Sequence, residues 1–592
     1  MKTRFAFACA LGLAAVRPLA AQGTDDAIRV NQVGYLTDAP KVAVLCALVP
    51  RVVSTFDVID AAGRLVLKTR RAIASGAFGP CVETYRLDFS SLRTPGTYRL
   101  RAGDLTSPAV KIGPDIWNGL ADVPLRYMRQ QRSGWNPTHN TAVHTKDGII
   151  VDHPTRAGEY LPANGGWADA SDYLQYVTTS ATATFQMLQA WRDHPRAFGD
   201  AYQADGRAGA NGVPDVLDEA RQGLAWLLQM FPDDSLMLNQ LGDDRDHMYF
   251  DLPQNDSSDY GWGKGGPRPL YPCTGIAQGL LRYQNRATGY ASTAGKFAAA
   301  FALGAQLLRS REPALADTLT RKARAAFALG EKYPGACQTA PARGPYFYEE
   351  DDWADDMELG AASLYALTGE SRYRVRAMTL ALQAKVKPWM GADTASHYQW
   401  YPFHNIGHFE AWKRGAAPAR AELSRYYRDG LQAVAGRANN GFNVGVPFIW
   451  CSNDLMTSLA VQGILYRRMT GDTRYRALEQ SAIDWLFGVN PWGISMVIGM
   501  PADGRFARDP HAVISIKLKY QLDGALLDGP VYTSIYKNLL GISLTKPDAF
   551  AKWNTGFIVY HDDWGDYSTN EPIMDGTANM LFLLSTLNRP TR

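Results

Sequence analysis

The 592 residues include only six cysteines, at positions 9, 46, 81, 273, 337 and 451, and spacing this wide matches neither a zinc-binding run nor a small disulfide framework. Cys46 and Cys81 fall in one small N-terminal unit and could pair after export, but spacing alone does not set their distance. A surplus of either charge is missing as well: 61 Lys and Arg face 58 Asp and Glu, and the excess cations Lys2, Arg4 and Arg17 all lie in the first 21 residues. The remainder is formally neutral, which removes the electrostatic case for nucleic acid or an anionic membrane surface as partner. An uncharged substrate fits better. Long hydrophobic runs are absent too, since the stretch Phe5 to Val16 offers about 12 residues against the ~20 needed to span a bilayer. With Lys2 and Arg4 before that stretch and Ala20 and Ala21 after it, residues 1–21 read as a secretory signal. That reading predicts a secreted protein, extracellular or periplasmic, with no membrane span.

What is present divides the chain into two textures. Residues 28–113 carry short β-rich runs such as KVAVLCALV, STFDVID, ETYRLDF and TYRLRAG between Pro, Gly and Asp turns, the pattern of a small β-sandwich. In SLRTPGTYRLRAG, Pro95 and Gly96 supply a turn, and Tyr98 and Leu100 share one face of the strand that follows. From 115 to 590 roughly twelve helical segments follow, among them DYLQYVTTSATATFQMLQAWRD, PDVLDEARQGLAWLLQMF and KFAAAFALGAQLLRS. Their apolar residues recur at three and four, so each presents a face to a common core. Such an array without strand repeats predicts a closed helical fold and excludes a parallel α/β sheet. Long Trp-, Tyr- and Gly-rich loops such as DLPQNDSSDYGWGKGGPRPLYP separate the helices, and loops of that kind carry function or are disordered.

Two segments carry candidate chemistry. In NGGWADASDYLQY, Asp169 and Asp172 stand three apart at the start of a helical run, beside Trp167, Ser171 and Tyr173. Helix capping accounts for one of the aspartates but not for the pair. Near the C-terminus, HDDWGDYSTNEPIMDGTANMLFLLS places Glu571 at a loop-to-helix junction, after Tyr567 and Asn570 and before Pro572. An acidic residue there also suits a helix N-terminus. Hydrolysis of a glycosidic bond needs one carboxyl group protonated, to assist the leaving oxygen, and another ionised, to activate water. Asp172 with Glu571 could supply both.

These motifs resemble those of glycoside hydrolase family 9: GGWADASDY is similar to that family's GGWYDAGDY signature, and DYSTNEPIMDGTA to its DY..NE..ID..A ending. The likeness covers essentially the whole chain after the leader. IRVNQVGY through TSPAVKIG resembles the N-terminal immunoglobulin-like domain of many members, and VPDVLDEARQGLAWLLQM, QLGDDRDH, WADDMELGAASLYALTG, PFIWCSND, FGVNPWGISMVIG and DGALLDGPV follow in family order. The resemblance implies a mainly α protein, an (α/α)6 barrel preceded by a small all-β sandwich. It implies inverting hydrolysis of β-1,4-linked glucan, with cellulose or a related β-glucan as partner and no redox or nucleotide cofactor. By position, Asp172 matches the base, Asp169 the group that helps hold the attacking water, and Glu571 the acid. Trp167, Tyr173, Tyr567 and Asn570 become candidate substrate contacts.

The likeness departs from the family in three places. Family cellulases carry PHHR where this chain reads DPHAVIS, so His511 is kept as a candidate sugar contact while Ala512 and Val513 replace His and Arg. Losing a planar five-donor group changes which sugar, or which chain length, is accepted. YQWYPFHNIGHFEAW clusters Trp400, His404 and His408 as candidate replacements; a metal pair at His404 and His408 lacks an acidic residue between them, and sugar contact or loop structure accounts for them better. Val143 stands where some relatives have a zinc-binding Cys, against zinc at His139, His144 and Asp147. Asp355 and Asp356 match a position that contributes to calcium binding in some members, and a helix-start acidic cluster explains them equally. The alternatives are an exo-acting hydrolase of oligosaccharides or of a modified gluco-polymer, and a non-catalytic carbohydrate-binding protein. The sequence sets no oligomeric state.

Overall fold

The structure is a computed structural model and describes residues 26–248, 250–345, 348–386, 388–391 and 405–589. The leader at residues 1–21 and two candidate sugar contacts, Trp400 and His404, lie outside the described residues.

The N-terminal strands form two facing sheets. One holds β1 (Ala27–Arg29), β2 (Val42–Ala47), β5 (Ile73–Ala74) and β6 (Glu83–Asp88), and the other is built on β3 (Thr55–Asp60), β4 (Leu65–Arg71) and β7 (Gly96–Ala102). Tyr98, Leu100 and Ala102 alternate into the core between the sheets, as expected for a half-buried strand. β2 is buried on both faces: Ala43, Leu45 and Ala47 fill the sandwich core, whereas Val44 and Cys46 pack into the core of the helical domain. Cys46 is bonded to Cys81, with Cα atoms 5.1 Å apart. Phe78 presses onto Phe442, Phe448 and Trp485 of the helical domain, and Asn31 donates to Asp484 at 2.9 Å.

Twelve helices of seven residues or more follow among the described residues. They are α1 (Pro124–Gln130), α2 (Val177–Asp193), α3 (Asp215–Met230), α4 (Ala291–Leu308), α5 (Pro313–Lys332), α6 (Ala354–Thr368), α7 (Ser371–Ala384), α8 (Ile406–Arg414), α9 (Ala417–Arg437), α10 (Ser452–Thr470), α11 (Arg476–Leu486) and α12 (Met574–Leu587). α2 packs on α4, α4 on α6, α6 on α8, α8 on α10, α10 on α12 and α12 back on α2, which closes an inner ring. The other six lie outside it, and the whole is an (α/α)6 barrel. Side-chain pattern sorts the two layers. α2, α4, α10 and α12 are buried almost all round, as a helix enclosed by others must be. α5 buries only the stripe Ala316, Leu319, Lys322, Ala323, Ala326, Phe327, Leu329 and Gly330.

Short pairings at the mouth of the barrel, which helical periodicity does not foreshadow, tie the long loops together. Ile149–Ile150, Pro269–Pro272, Leu238–Leu241 and Gln175–Tyr176 form a four-stranded sheet. A second disulfide, Cys273–Cys337, closes a 64-residue separation around α4 and α5 and corrects the expectation that the wide cysteine spacing holds no framework. Cys451 is the one free cysteine among the described residues, and it is buried.

Candidate active site

Loops entering the N-terminal ends of inner helices converge on one cleft of about 460 Å³. Helix N-termini carry partial positive charge, which suits a site rich in carboxylates. The segment before α2 reverses direction at Gly165 and Gly166, with φ of 114° and 72°. A Cβ on Gly166 would meet the Trp226 ring at 2.7 Å. This reversal turns Trp167 inward, where it packs over Gly223 of α3 and donates its indole N–H to Glu219 at 2.8 Å. Trp167 is fully buried, so the expectation of a sugar contact there is corrected to a brace for the turn.

After Trp167 the chain forms a tight loop. Asp169 N–H donates to Leu174 O at 2.9 Å, and Leu174 N–H donates back to Asp172 Oδ1 at 3.0 Å. Asp169 accepts the Thr179 hydroxyl at 2.5 Å and the Tyr348 hydroxyl at 2.6 Å and is 6% exposed. The Asp172 side chain is 19% exposed and faces the cleft, 3.6 Å from His247 Nε2. Between the two aspartates, Ser171 points its N–H at Glu571 Oε1 at 3.0 Å, and its hydroxyl donates to the same oxygen. Met574 N–H, at the start of α12, donates to Asp169 O at 3.0 Å. The aspartate turn and the glutamate are therefore held by one another's backbone.

The electrostatics of the cleft follow from this crowding of acids. Burial, then the charge of Asp575, pushes Asp169 up to about 7 against the hydrogen bonds from Thr179 and Tyr348. Burial also holds Asp172 well above the usual carboxylate range, opposed by His247 and helped by Asp246, Glu571 and Asp169. Asp528 is raised by burial and by Glu571, although Trp450 Nε1–H donates to it at 2.7 Å. For His247, burial acts downward, but the Asp246 hydrogen bond and charge, with Asp172 and Glu571, outweigh it and push the ring up to about 10. At 43% exposure of that ring, water screens part of the effect.

Of the other sequence candidates, Tyr173, His511 and Tyr567 line the cleft with the three acids. Tyr567 lies against Trp450 with centroids 5.5 Å apart, and His511 against Phe250 at 5.0 Å. Val513, which stands in for the family arginine, lines the same wall. Asn570 does not. It is fully buried, donates to Asp509 O at 2.8 Å and accepts from Tyr560 at 2.9 Å, so its expected sugar contact is corrected to support of the loop. His247, Tyr348, Trp450 and Asp528 line the cleft without having been singled out. QLGDDRDH, PFIWCSND and DGALLDGPV, which hold three of them, were the available signal, while Tyr348 sits in a loop with none.

The metal candidates resolve against a cation. Asp356 and Glu350 both contact the Lys296 ammonium, at 2.8 and 2.5 Å. Calcium takes about six to eight oxygens, and an ammonium already among the carboxylates repels it, so Asp355 and Asp356 do not fit that ion. At the zinc position, His144 pairs with Asp256 at 3.0 Å and Asp147 with Arg268 at 2.8 Å. No cluster of three metal-capable side chains occurs among the described residues. His408 is buried against Glu358, 2.7 Å away. A larger groove of about 640 Å³ lies between α5 and α7, and its arginines and carboxylates pair with one another, as Arg376 does with Glu331 at 3.1 Å.

Comparison with known proteins agrees with this geometry. Residues 117–584 match the model of "Glycosyl hydrolase family 9", and residues 23–107 that of "Cellulase N-terminal ig-like domain". The chain is 29% identical over 557 residues to endoglucanase C of Cellulomonas fimi, an alignment that covers 86% of this chain and 46% of that protein. This chain therefore spans under half the length of that relative. It is 26% identical over 602 residues to a xyloglucan-specific endo-β-1,4-glucanase of Bacteroides ovatus, covering 95% and 94% of the two chains. Among solved structures, a metagenome-derived glycoside hydrolase family 9 endoglucanase superposes with TM-score 0.74 at 26% identity, covering 95% of this chain and 99% of that one.

Proposed function

The chain belongs to glycosyl hydrolase family 9, and from that premise we propose that it is a secreted enzyme that cuts β-1,4-linked glucan with inversion, Glu571 as acid and Asp172 as base. The observation that carries this reading is the contact of Ser171 with Glu571, which sets the aspartate turn against the glutamate in one cleft. Glu571 gives its proton to the departing glycosidic oxygen as the bond to the anomeric carbon breaks. Water forms the new bond to that carbon from the opposite face, and its proton passes to ionised Asp172. Asp169, shielded and fixed by Thr179 and Tyr348, accepts a hydrogen bond from the second O–H of that water, which stays on the product as the anomeric hydroxyl. Tyr173, Trp450, Trp564 and Tyr567 supply aromatic faces for sugar rings. The leader and the two disulfides support export.

A second reading, exo action on oligosaccharides or on a modified gluco-polymer, is favoured by Val513, an apolar side chain where a guanidinium would bind hydroxyls. Reducing-end and viscosity assays on carboxymethyl cellulose, mixed-linkage glucan, xyloglucan and cello-oligosaccharides separate the two. Rapid viscosity loss supports the endo reading, and reducing ends without viscosity loss support the exo one. Proton NMR of early product should show the α-anomer first. A β-anomer first would sink the inverting assignment, and no hydrolysis of any of these would sink the enzyme reading.

A further inference from the structure

Lys296 lies inside α4, one residue after Gly295, where α4 and α6 touch: a Cβ on Gly295 would sit 2.3 Å from the carbonyl carbon of Asp356. That close approach delivers the ammonium to two carboxylates. Lys296 is 3% exposed, and its partners Glu350 and Asp356 are 2% exposed. Glu350 also accepts Thr178 of α2 at 3.4 Å, and its second oxygen, Oε2, is buried without a hydrogen-bond partner among the described residues. The same ammonium thus gathers α2, α4, the segment through Glu350 and α6. Burial acts to lower Lys296, yet the charges of Asp356 and Glu350 outweigh it and hold the amine above the usual lysine range. Two residues before Glu350, Tyr348 donates its hydroxyl to Asp169 at the reaction centre.

We propose that Lys296 is a resident cation that takes the place of a divalent ion at this junction, and that it keeps the Tyr348 hydroxyl on Asp169 without any metal. It is a positioning residue, since it touches neither the cleft nor the three acids. A hard cation prefers carboxylate oxygens, and removing the ammonium leaves the buried carboxylates of Glu350 and Asp356 without a counter-charge. The structural part stands whatever substrate the enzyme cuts; only the activity readout rests on the hydrolase reading.

The test uses the full chain and calcium chloride as the probe. Wild-type melting temperature and bound-metal content should be unchanged by EDTA or by calcium. Lys296→Ala should melt about 5 °C lower, as expected for a buried pair broken on one side. Millimolar calcium should restore much of that loss, with close to one ion retained per chain after dialysis. In parallel, kcat should fall with KM unchanged and recover with calcium. The paired variant K296M/E350Q/D356N removes the ammonium together with both carboxylate charges it meets and should melt near wild type without any calcium response, which covers the case in which Lys296→Ala does not fold. Wild type destabilised by EDTA, Lys296→Ala indistinguishable from wild type, no effect of calcium on that variant, or a calcium response of the paired variant would each overturn the proposal. Should the hydrolase reading fail instead, every variant is inactive while the melting and metal-retention results still decide.

Discussion

Glu350 and Asp356 enclose an ammonium, whereas Asp169, Asp172 and Asp528, at the ends of neighbouring inner helices, are met by hydroxyls, an indole, a thiol and one exposed histidine. Both are sets of largely buried acids, and only the second lines the cleft. In the first, charge is matched inside the fold, so the carboxylates work as ties. In the second the charge is largely unmatched, so burial raises the carboxyl groups, Asp169 to about 7 and Asp172 and Asp528 well above the usual carboxylate range. Where buried acids outnumber their cations, the barrel gives up stability and gains proton chemistry.

The sharpest way to break this contrast is Glu571→Gln. The amide keeps an acceptor for Ser171, so the melting temperature should hold while kcat drops about 10³-fold; a loss of under tenfold would remove Glu571 from the acid role. Next comes Asp169→Asn, for which the sign is definite. Asp169 titrates at about 7 in the fold against 3.8 ordinarily, so its ionisation destabilises the fold. That cost is absent below 3.8, grows between 3.8 and about 7, and is complete above. The variant should melt a few degrees higher than wild type at pH 8 and no higher at pH 4, with kcat about 10²-fold lower. A gain confined to acid pH contradicts the account. The raised Asp172 carries a companion expectation: the acidic limb of kcat/KM should lie nearer neutrality than an ordinary aspartate would place it. The smallest effect belongs to Tyr348→Phe, which deletes one donor to Asp169. About a tenfold fall in kcat with KM unchanged is expected, and a change in KM alone would assign Tyr348 to sugar binding.

Much of this arrangement was legible in the residues. Three- and four-residue periodicity announced a helical array, and the paired aspartates and the Glu571 junction pointed to the chemistry because spacing within a few residues survives folding. What escaped depends on distant partners. Cys273 and Cys337 are 64 residues apart, and nothing in that spacing marks a pair. Lys296 leads the apolar run KFAAAFALG and reads as the edge of a helix, although the helix begins at Ala291 and the amine is enclosed. Trp167 misled for a local reason: an aromatic beside two aspartates resembles a sugar platform until Gly166 turns it toward Gly223. Asn570 misled in the same way, because neighbours of an acid in sequence need not face its cleft.

The double-sided burial of β2 has a consequence for how such a protein can change over time. Val44 and Cys46 belong to the helical core as fully as any residue of α2. A recombination event that exchanged the sandwich for a foreign module would expose that apolar seam, so the small domain is not a detachable cassette. The two halves must drift together, each substitution on one side of the seam answered by a complementary one on the other.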